Sequence, residues 1–191
     1  MSTNDENAAR STQERWLTIY YLSRGAFSVA WVVSALMLGQ HHAVLGAILL
    51  VIYPLWDAGA NYVDAARNGG FARNRIQALN ALVSVAAALA VLFALQIGLN
   101  AVLTVFGAWA VLSGLLQLGA AIRRWKLSGA QWAMILSGGQ SALAGAFFVV
   151  QAQQPVPAVI PLIAGYAGFG AVYFLVSAVS LLVGKRLRAR G

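Results

Sequence analysis

Residues 76–122 read IQALNALVSVAAALAVLFALQIGLNAVLTVFGAWAVLSGLLQLGAAI, with no Asp, Glu, Lys or Arg among them. Two apolar runs, 76–97 and 100–122, are separated only by the uncharged turn from Gln96 to Asn100. Each is close to the ~20 residues that cross ~30 Å of hydrocarbon as a helix. Backbone polar groups cannot stay unpaired in lipid, and the pattern lacks the alternation of a membrane barrel, so both runs read as helices. Together they form one helical hairpin across a bilayer.

Four more runs lie outside this pair: 16–38, 43–66, 130–151 and 158–183. The connections are short and polar: Gly39-Gln40-His41-His42, Arg67 to Arg75, Arg123 to Gly129, and Gln151 to Pro157. The first run is too long for a signal-peptide core and no small-residue cleavage pattern follows it, so it is read as retained. The expected fold is all-α, a polytopic membrane protein with six transmembrane helices arranged as three repeated hairpins, about 16–66, 76–122 and 130–183. A polar tail, 1–15, precedes this 16–184 domain, and a basic tail, 185–191, follows it. Ser11-Thr12-Gln13-Glu14 reads as a helix-start box, as do Ser128 and Gln131. Pro155 and Pro157 suit a helix entry, where a missing N–H costs nothing.

Composition agrees. Hydrophobic residues make up 60% and charged residues 9% of the chain, against about 25% charged in soluble domains. Mean hydropathy is +0.73. No soluble domain of this length hides so much apolar surface. The absence of cysteine excludes a disulfide scaffold and a thiol-ligated zinc site.

The net charge of +8 would point to nucleic acid in a soluble protein. Here the cations fall in short clusters between apolar runs and form no basic face, so no nucleic-acid partner is expected. Arg10 and Arg15 precede the first span. Arg67, Arg73 and Arg75 lie between spans two and three, and Arg123, Arg124 and Lys126 between four and five. Lys185, Arg186, Arg188 and Arg190 follow span six. Twelve of the thirteen basic residues thus share one side, and the positive-inside rule places both termini in the cytoplasm.

Tyr53-Pro54-Leu55-Trp56 in span two, Phe106-Gly107-Ala108-Trp109 in span four and Ala164-Gly165-Tyr166-Ala167 in span six resemble one another. Three hairpins in one orientation suggest packing around a pseudo-threefold axis. Ser137-Gly138-Gly139 to Gly145, the uncharged Gln151–Pro157 turn, and Gly165-Tyr166-Ala167-Gly168 running to Lys185-Arg186 carry a wider likeness. Over about residues 16–190 the chain resembles the HdeD-like acid-resistance membrane proteins, built from a short repeat of unknown function. That resemblance implies a bacterial inner-membrane protein associated with acid or envelope stress. The first hairpin departs from the pattern, because Arg24, Asp57 and Asp64 stand within or beside its apolar runs.

Small residues recur every four positions in several spans: Ser137, Ser141 and Gly145; Ala110 and Gly114; Ala164 and Gly168. They read as helix contact faces, since close approach drives association in lipid. Trp16, Tyr20, Tyr21, Trp125 and Trp132, near span ends, read as interfacial anchors. The string Leu136-Ser137-Gly138-Gly139-Gln140 spells the signature of ATP-binding-cassette nucleotide domains. It sits inside an apolar span and has no phosphate loop beside it, so it is read as coincidence.

The sharpest functional signal is a polar stripe. Asp57, Asn61, Asp64 and Asn68 share one helical face. Asp57 lies roughly 15 Å and Arg24 roughly 12 Å from the same membrane face, at 1.5 Å per residue. The expectation is an intramembrane Arg24–Asp57 ion pair, with Asn61 as its hydrogen-bonding neighbour and Asp64 nearer the headgroups. Pro54 frees the carbonyl of Leu50 and points to a bent helix beside a polar cavity. Gln77, Asn80 and Ser84 in span three, and Gln117 in span four, extend the polar interior. The stripe admits two readings: a register lock, or a path for protons, ions or a small solute.

His41 and His42, in the first outer turn, are either sensors of external acidity or solvated loop residues. No third ligand makes them a metal site. No metal, cofactor or catalytic residue is expected, since HExxH, a cysteine nucleophile and a Ser–His pair at a common depth are all missing. The functional expectation is a non-catalytic membrane protein of the HdeD-like kind, with a small transporter or channel as the alternative. The expected partners are membrane lipids and either a second copy or a larger membrane complex.

Overall fold

The computed structural model describes residues 3–125, 131–155 and 158–188. Ser128, Lys126, Pro157 and Arg190 lie outside the described residues. The chain forms α1 (Thr3–Ser34), continued by a π-helical turn (Ala35–Gly39), then α2 (Ala43–Arg67), α3 (Arg75–Ile97), α4 (Leu99–Arg124), α5 (Gln131–Gln151) and α6 (Val159–Arg188). All six helices are long and apolar enough to cross a membrane, and no strand occurs among the described residues. This is an all-helical, multi-pass membrane protein.

The start of α1 departs from expectation. The helix begins at Thr3, so Ser11-Thr12-Gln13-Glu14 lies inside it and is not a start box. No Pro or Gly occurs before Gly25. Each residue added to an existing helix gains one backbone bond, so the span extends readily through the polar segment. Glu14 sits about three turns inside, where its carbonyl accepts from Thr18 Oγ1 at 2.8 Å.

The connections are tight. Gly98 alone separates α3 from α4, at φ 142°, a conformation that favours glycine. Between α2 and α3, Gly69 and Gly70 also have positive φ. Asn74 Nδ2 then closes the loop onto the carbonyls of Asn68 (2.6 Å) and Gly70 (3.1 Å).

Successive helices run antiparallel and close into a ring in which α6 returns to α1. The closest packing crosses the hairpin borders: α4 lies on α5, α1 on α6 and α2 on α3, whereas α1 and α2 make few backbone approaches. Glycine explains the first pair. Gly107 faces Gly145 and Gly114 faces Gly138; a Cβ on Gly145 would fall 2.5 Å from Gly107 O, and one on Gly138 2.7 Å from Gly114 O. Ser137, Ser141, Ala110 and Gly114 are buried as their spacing predicts, and Ser141 Oγ donates to Ala110 O at 2.9 Å. Gly138, in the nucleotide-signature string, therefore serves helix packing.

The expected Ala164–Gly168 face of α6 is corrected. Gly168 has nothing within 4 Å of where its Cβ would stand. The packed line is instead Ala164, Ala167, Ala171 and Ala178, all buried, at the three- and four-residue steps that keep one helical face together. Opposite it on α1, a Cβ on Gly25 would fall 2.8 Å from Leu175 Cδ2.

The interior has two parts. Away from the chain termini, Trp31, Leu50, Val91, Leu103, Phe106, Phe148 and Ile163 fill an apolar half. Toward the termini, Leu17, Tyr21, Met134, Phe174 and Leu181 form a smaller cluster. Tyr20 and Tyr21 belong to this second cluster, so they are not interfacial anchors; their face of α1 turns to α6, where Tyr21 stacks on Phe174. Trp125 and Trp132 are exposed at helix ends, as anchors would be. At the centre, α2, α4 and α6 each contribute one ring. Tyr53, Trp109 and Tyr166 meet edge-to-face with centroids 5.8, 6.3 and 6.4 Å apart. Met37, Val44, Phe93, Ile97 and Leu143 point outward and are exposed, a surface suited to lipid tails.

Candidate functional site

The four-three-four spacing on α2 does what helical geometry requires. Asp57, Asn61 and Asp64 all face inward and are buried, with Asn68 half-buried at the end of the row. Arg24, from α1, meets Asp57: its Nη2 donates to Asp57 Oδ1. Its Nη1 donates to Tyr20 OH at 2.8 Å, and its guanidinium lies over the Phe174 ring, 4.5 Å from the centroid. The expected pair is present, at matched depth on antiparallel helices.

Asp57 is held by more than its arginine. Asn61 Nδ2 donates to Oδ2 at 3.0 Å, and also to the Asp57 carbonyl at 2.9 Å. Ser84 Oγ, from α3, donates to Oδ2 at 2.7 Å. Trp109 Nε1, from α4, donates to Ser84 Oγ at 2.9 Å. Four helices thus converge on one carboxylate, and its charge is met by one cation and two neutral donors. Such charge-assisted bonds are the strong ones in a low-dielectric interior.

Asp64 lies nearer the end of α2 than Asp57, as expected, yet it is fully buried and forms a second centre. Arg124 Nη2, at the end of α4, donates to Asp64 Oδ2 at 2.6 Å. Trp16 Nε1 (3.0 Å) and Asn68 Nδ2 (2.6 Å) donate to Oδ1. Arg67 stacks over the same Trp16 ring, 4.7 Å from its centroid. Trp16 is therefore a carboxylate ligand as well as a span-end aromatic. Reading Arg124 as one member of a basic cluster hid its role. The available signal was that a second carboxylate on the inward face needs its own cation, and Arg124 closes an apolar run at the same membrane side.

Between the two carboxylates the interior stays polar. Gln77, Asn80 and Ser84 are buried on α3, as expected. Gln117, half-buried, reaches only weakly toward Met134 O at 3.5 Å. One cavity of about 40 Å³ lies against Asp64, Gln77 and Asn80, and a second of about 40 Å³ against Asp57, Ser113 and Ser141. Pro54 takes no part in either. Its ring rests on Ala87, Val91 and Phe106, where there is no room for a water. The carbonyl that finds an outside donor in that turn is Leu49's, which accepts from Trp31 Nε1 at 2.7 Å. The polar cavity expected beside this bend lies instead against Tyr53 and Asp57, on the inward face of the same helix.

His41 and His42 are exposed in the turn between the π-helical segment and α2. Gln40 Nε2 lies 3.3 Å from His41 Nε2 in that turn. They stand far from both carboxylate centres along the helices. No group of three or more potential metal-ligating side chains occurs among the described residues.

The sequence pattern of a short repeat of unknown function (DUF308) matches residues 79–150. The match runs from α3 through the glycine-packed α4–α5 pair and leaves out the charged first hairpin. No curated protein and no solved structure matches the chain.

Proposed function

We propose that this is a non-catalytic, multi-pass protein of the bacterial inner membrane, with both termini in the cytoplasm, that acts in acid or envelope stress. The observation that carries the non-catalytic reading is the state of the buried carboxylates. Asp57 and Asp64 are each occupied by an arginine and two neutral donors, so neither is presented to a substrate as a base or nucleophile. The stress role rests on the HdeD-like resemblance; the short-repeat match over residues 79–150 supports the repeat architecture alone. The placement of the termini follows from the cation clusters at one end of the bundle. The exposed apolar girdle fits lipid, and a second copy or a larger membrane complex is the further partner class.

The test is survival in acid of cells lacking the protein, complemented by the wild type and by a variant carrying both Asp57→Asn and Asp64→Asn. Loss of survival on deletion, restored by the wild type, is the expected result. Unchanged survival overturns the stress reading.

One observation favours a second reading, a path for protons, ions or a small solute along Arg24, Asp57, Asn61 and Asp64. The interior beside these residues is polar and contains space. Proton flux into vesicles, abolished by Asp57→Asn, would establish this reading in place of the first.

A further inference from the structure

Gln77 and Asn80 are 3% and 5% exposed, yet both amide atoms of Gln77 and Oδ1 of Asn80 find no hydrogen-bond partner among the described residues. Ser113 Oγ on α4 is in the same state. Folded proteins rarely leave such groups unanswered, because each has lost its bonds to solvent. Ser177 Oγ on α6 is orphaned as well and lines neither cavity, whereas the other four atoms gather beside the carboxylates. Gln77 and Asn80 line the first cavity and Ser113 lines the second. Arg24, Gln117 and Phe174 belong to the walls of both, so the two spaces adjoin.

Charge and size narrow the occupant. The walls contribute Arg24 and Arg124 against Asp57 and Asp64, a balanced set already paired within itself. Neither a bare cation nor an anion finds an uncompensated partner there. The orphans include both donors and acceptors, which a small neutral molecule with both capacities satisfies. Each cavity of about 40 Å³ has room for roughly three waters, at ~10–15 Å³ per water. The first cavity reaches Arg124 and Gln131, at the end of the bundle where α1 begins and α6 ends. Beyond the second stand the rings of Tyr53, Trp109 and Tyr166, and behind them the dry apolar half.

We propose that a file of water molecules occupies both cavities, entering from the end of the bundle that carries the termini and stopping at the Arg24–Asp57 pair. The bundle is a half-path: Asp57 communicates with one compartment and is sealed from the other by the three rings. This goes beyond the stress reading, since it assigns a ligand and a direction to the polar interior whatever the physiological trigger.

The chain has no cysteine, so single-cysteine variants need no background changes. Asn80→Cys, Ser113→Cys and Leu103→Cys would be reconstituted in vesicles sorted by the accessibility of an N-terminal tag. Silver ion, small enough to follow water, would be added to one side, and the remaining thiol alkylated after denaturation. A thiolate forms and binds metal only where water reaches it. The expected result is loss of alkylation for Asn80→Cys and Ser113→Cys with silver on the terminal side only, and no loss for Leu103→Cys from either side. Loss from both sides overturns the dead end. Loss from neither side, or at Asn80→Cys alone, overturns the continuous file. The unmodified protein supplies an independent check through X-ray hydroxyl-radical footprinting. Tyr20 and Tyr21, in the first cavity's wall, should gain oxygen while Phe106 and Trp31 do not; equal protection of all four means a dry interior and sinks the proposal.

Discussion

An Arg24→Ala variant should lose about 3–5 kcal/mol of stability, because it strands the Asp57 carboxylate in a buried site. Asn61 and Ser84 would still donate to Asp57, but neutral donors do not replace a cation in low dielectric. The double change Arg24→Ala with Asp57→Ala should lose less than Arg24→Ala alone, since no charge is then left behind. Unfolding in mixed micelles of increasing detergent strength measures all the required states. Additive losses in the double variant would show that the guanidinium and the carboxylate do not depend on each other. Asp64 and Arg124 permit the same cycle at the membrane edge, where water lies closer and the single-variant loss should be smaller.

Gly145→Leu should disrupt the bundle by a different physical route. Even a Cβ at that position falls 2.5 Å from Gly107 O and 2.6 Å from Val111 N. Both are backbone atoms of α4, so no side-chain rotation relieves the clash and the helices must separate. Overpacking typically costs about 1–3 kcal/mol where side chains yield; with backbone on the far side the loss should reach or exceed the top of that range. Gly139→Ala on the same helix is the control. Nothing lies within 4 Å of its added carbon, so the change should be neutral or stabilise by up to about 1 kcal/mol through helix propensity. Equal destabilisation by both variants would mean that the α4–α5 contact is not the glycine seam described above.

The spans and the first ion pair were legible for one reason: depth in a membrane is counted along the chain. Ile76 to Ile122 displays two crossings and a turn without any tertiary knowledge. Arg24 and Asp57 fall at equal depth on consecutive helices, so their pairing follows from arithmetic and the cost of isolated charge. Rotation about a helix axis is not counted along the chain, and that is where expectation failed. Tyr20 and Tyr21 sit near a span end, where aromatics often anchor, but their face is set by α6, distant in sequence. Gly168 has the right spacing for a contact, yet the line through Ala167 and Ala171 is the one that meets α1. The Asp64–Arg124 pair joins α2 to α4, while Arg123 beside it turns instead to the α2–α3 loop at Arg73 and Asn74. The helix start at Thr3 was missed because a polar sequence does not say whether a neighbouring span will extend through it.

The tight seam between α1 and α6 has a consequence for biogenesis. A ribosome delivers these segments in order, so the first to enter the bilayer waits for the sixth before its inner face is covered. Until Phe174 arrives, the guanidinium of Arg24 lacks its roof and the nascent assembly is an open crescent. Closure must therefore follow synthesis, and chains halted before the last crossing should be the ones that quality-control proteases clear.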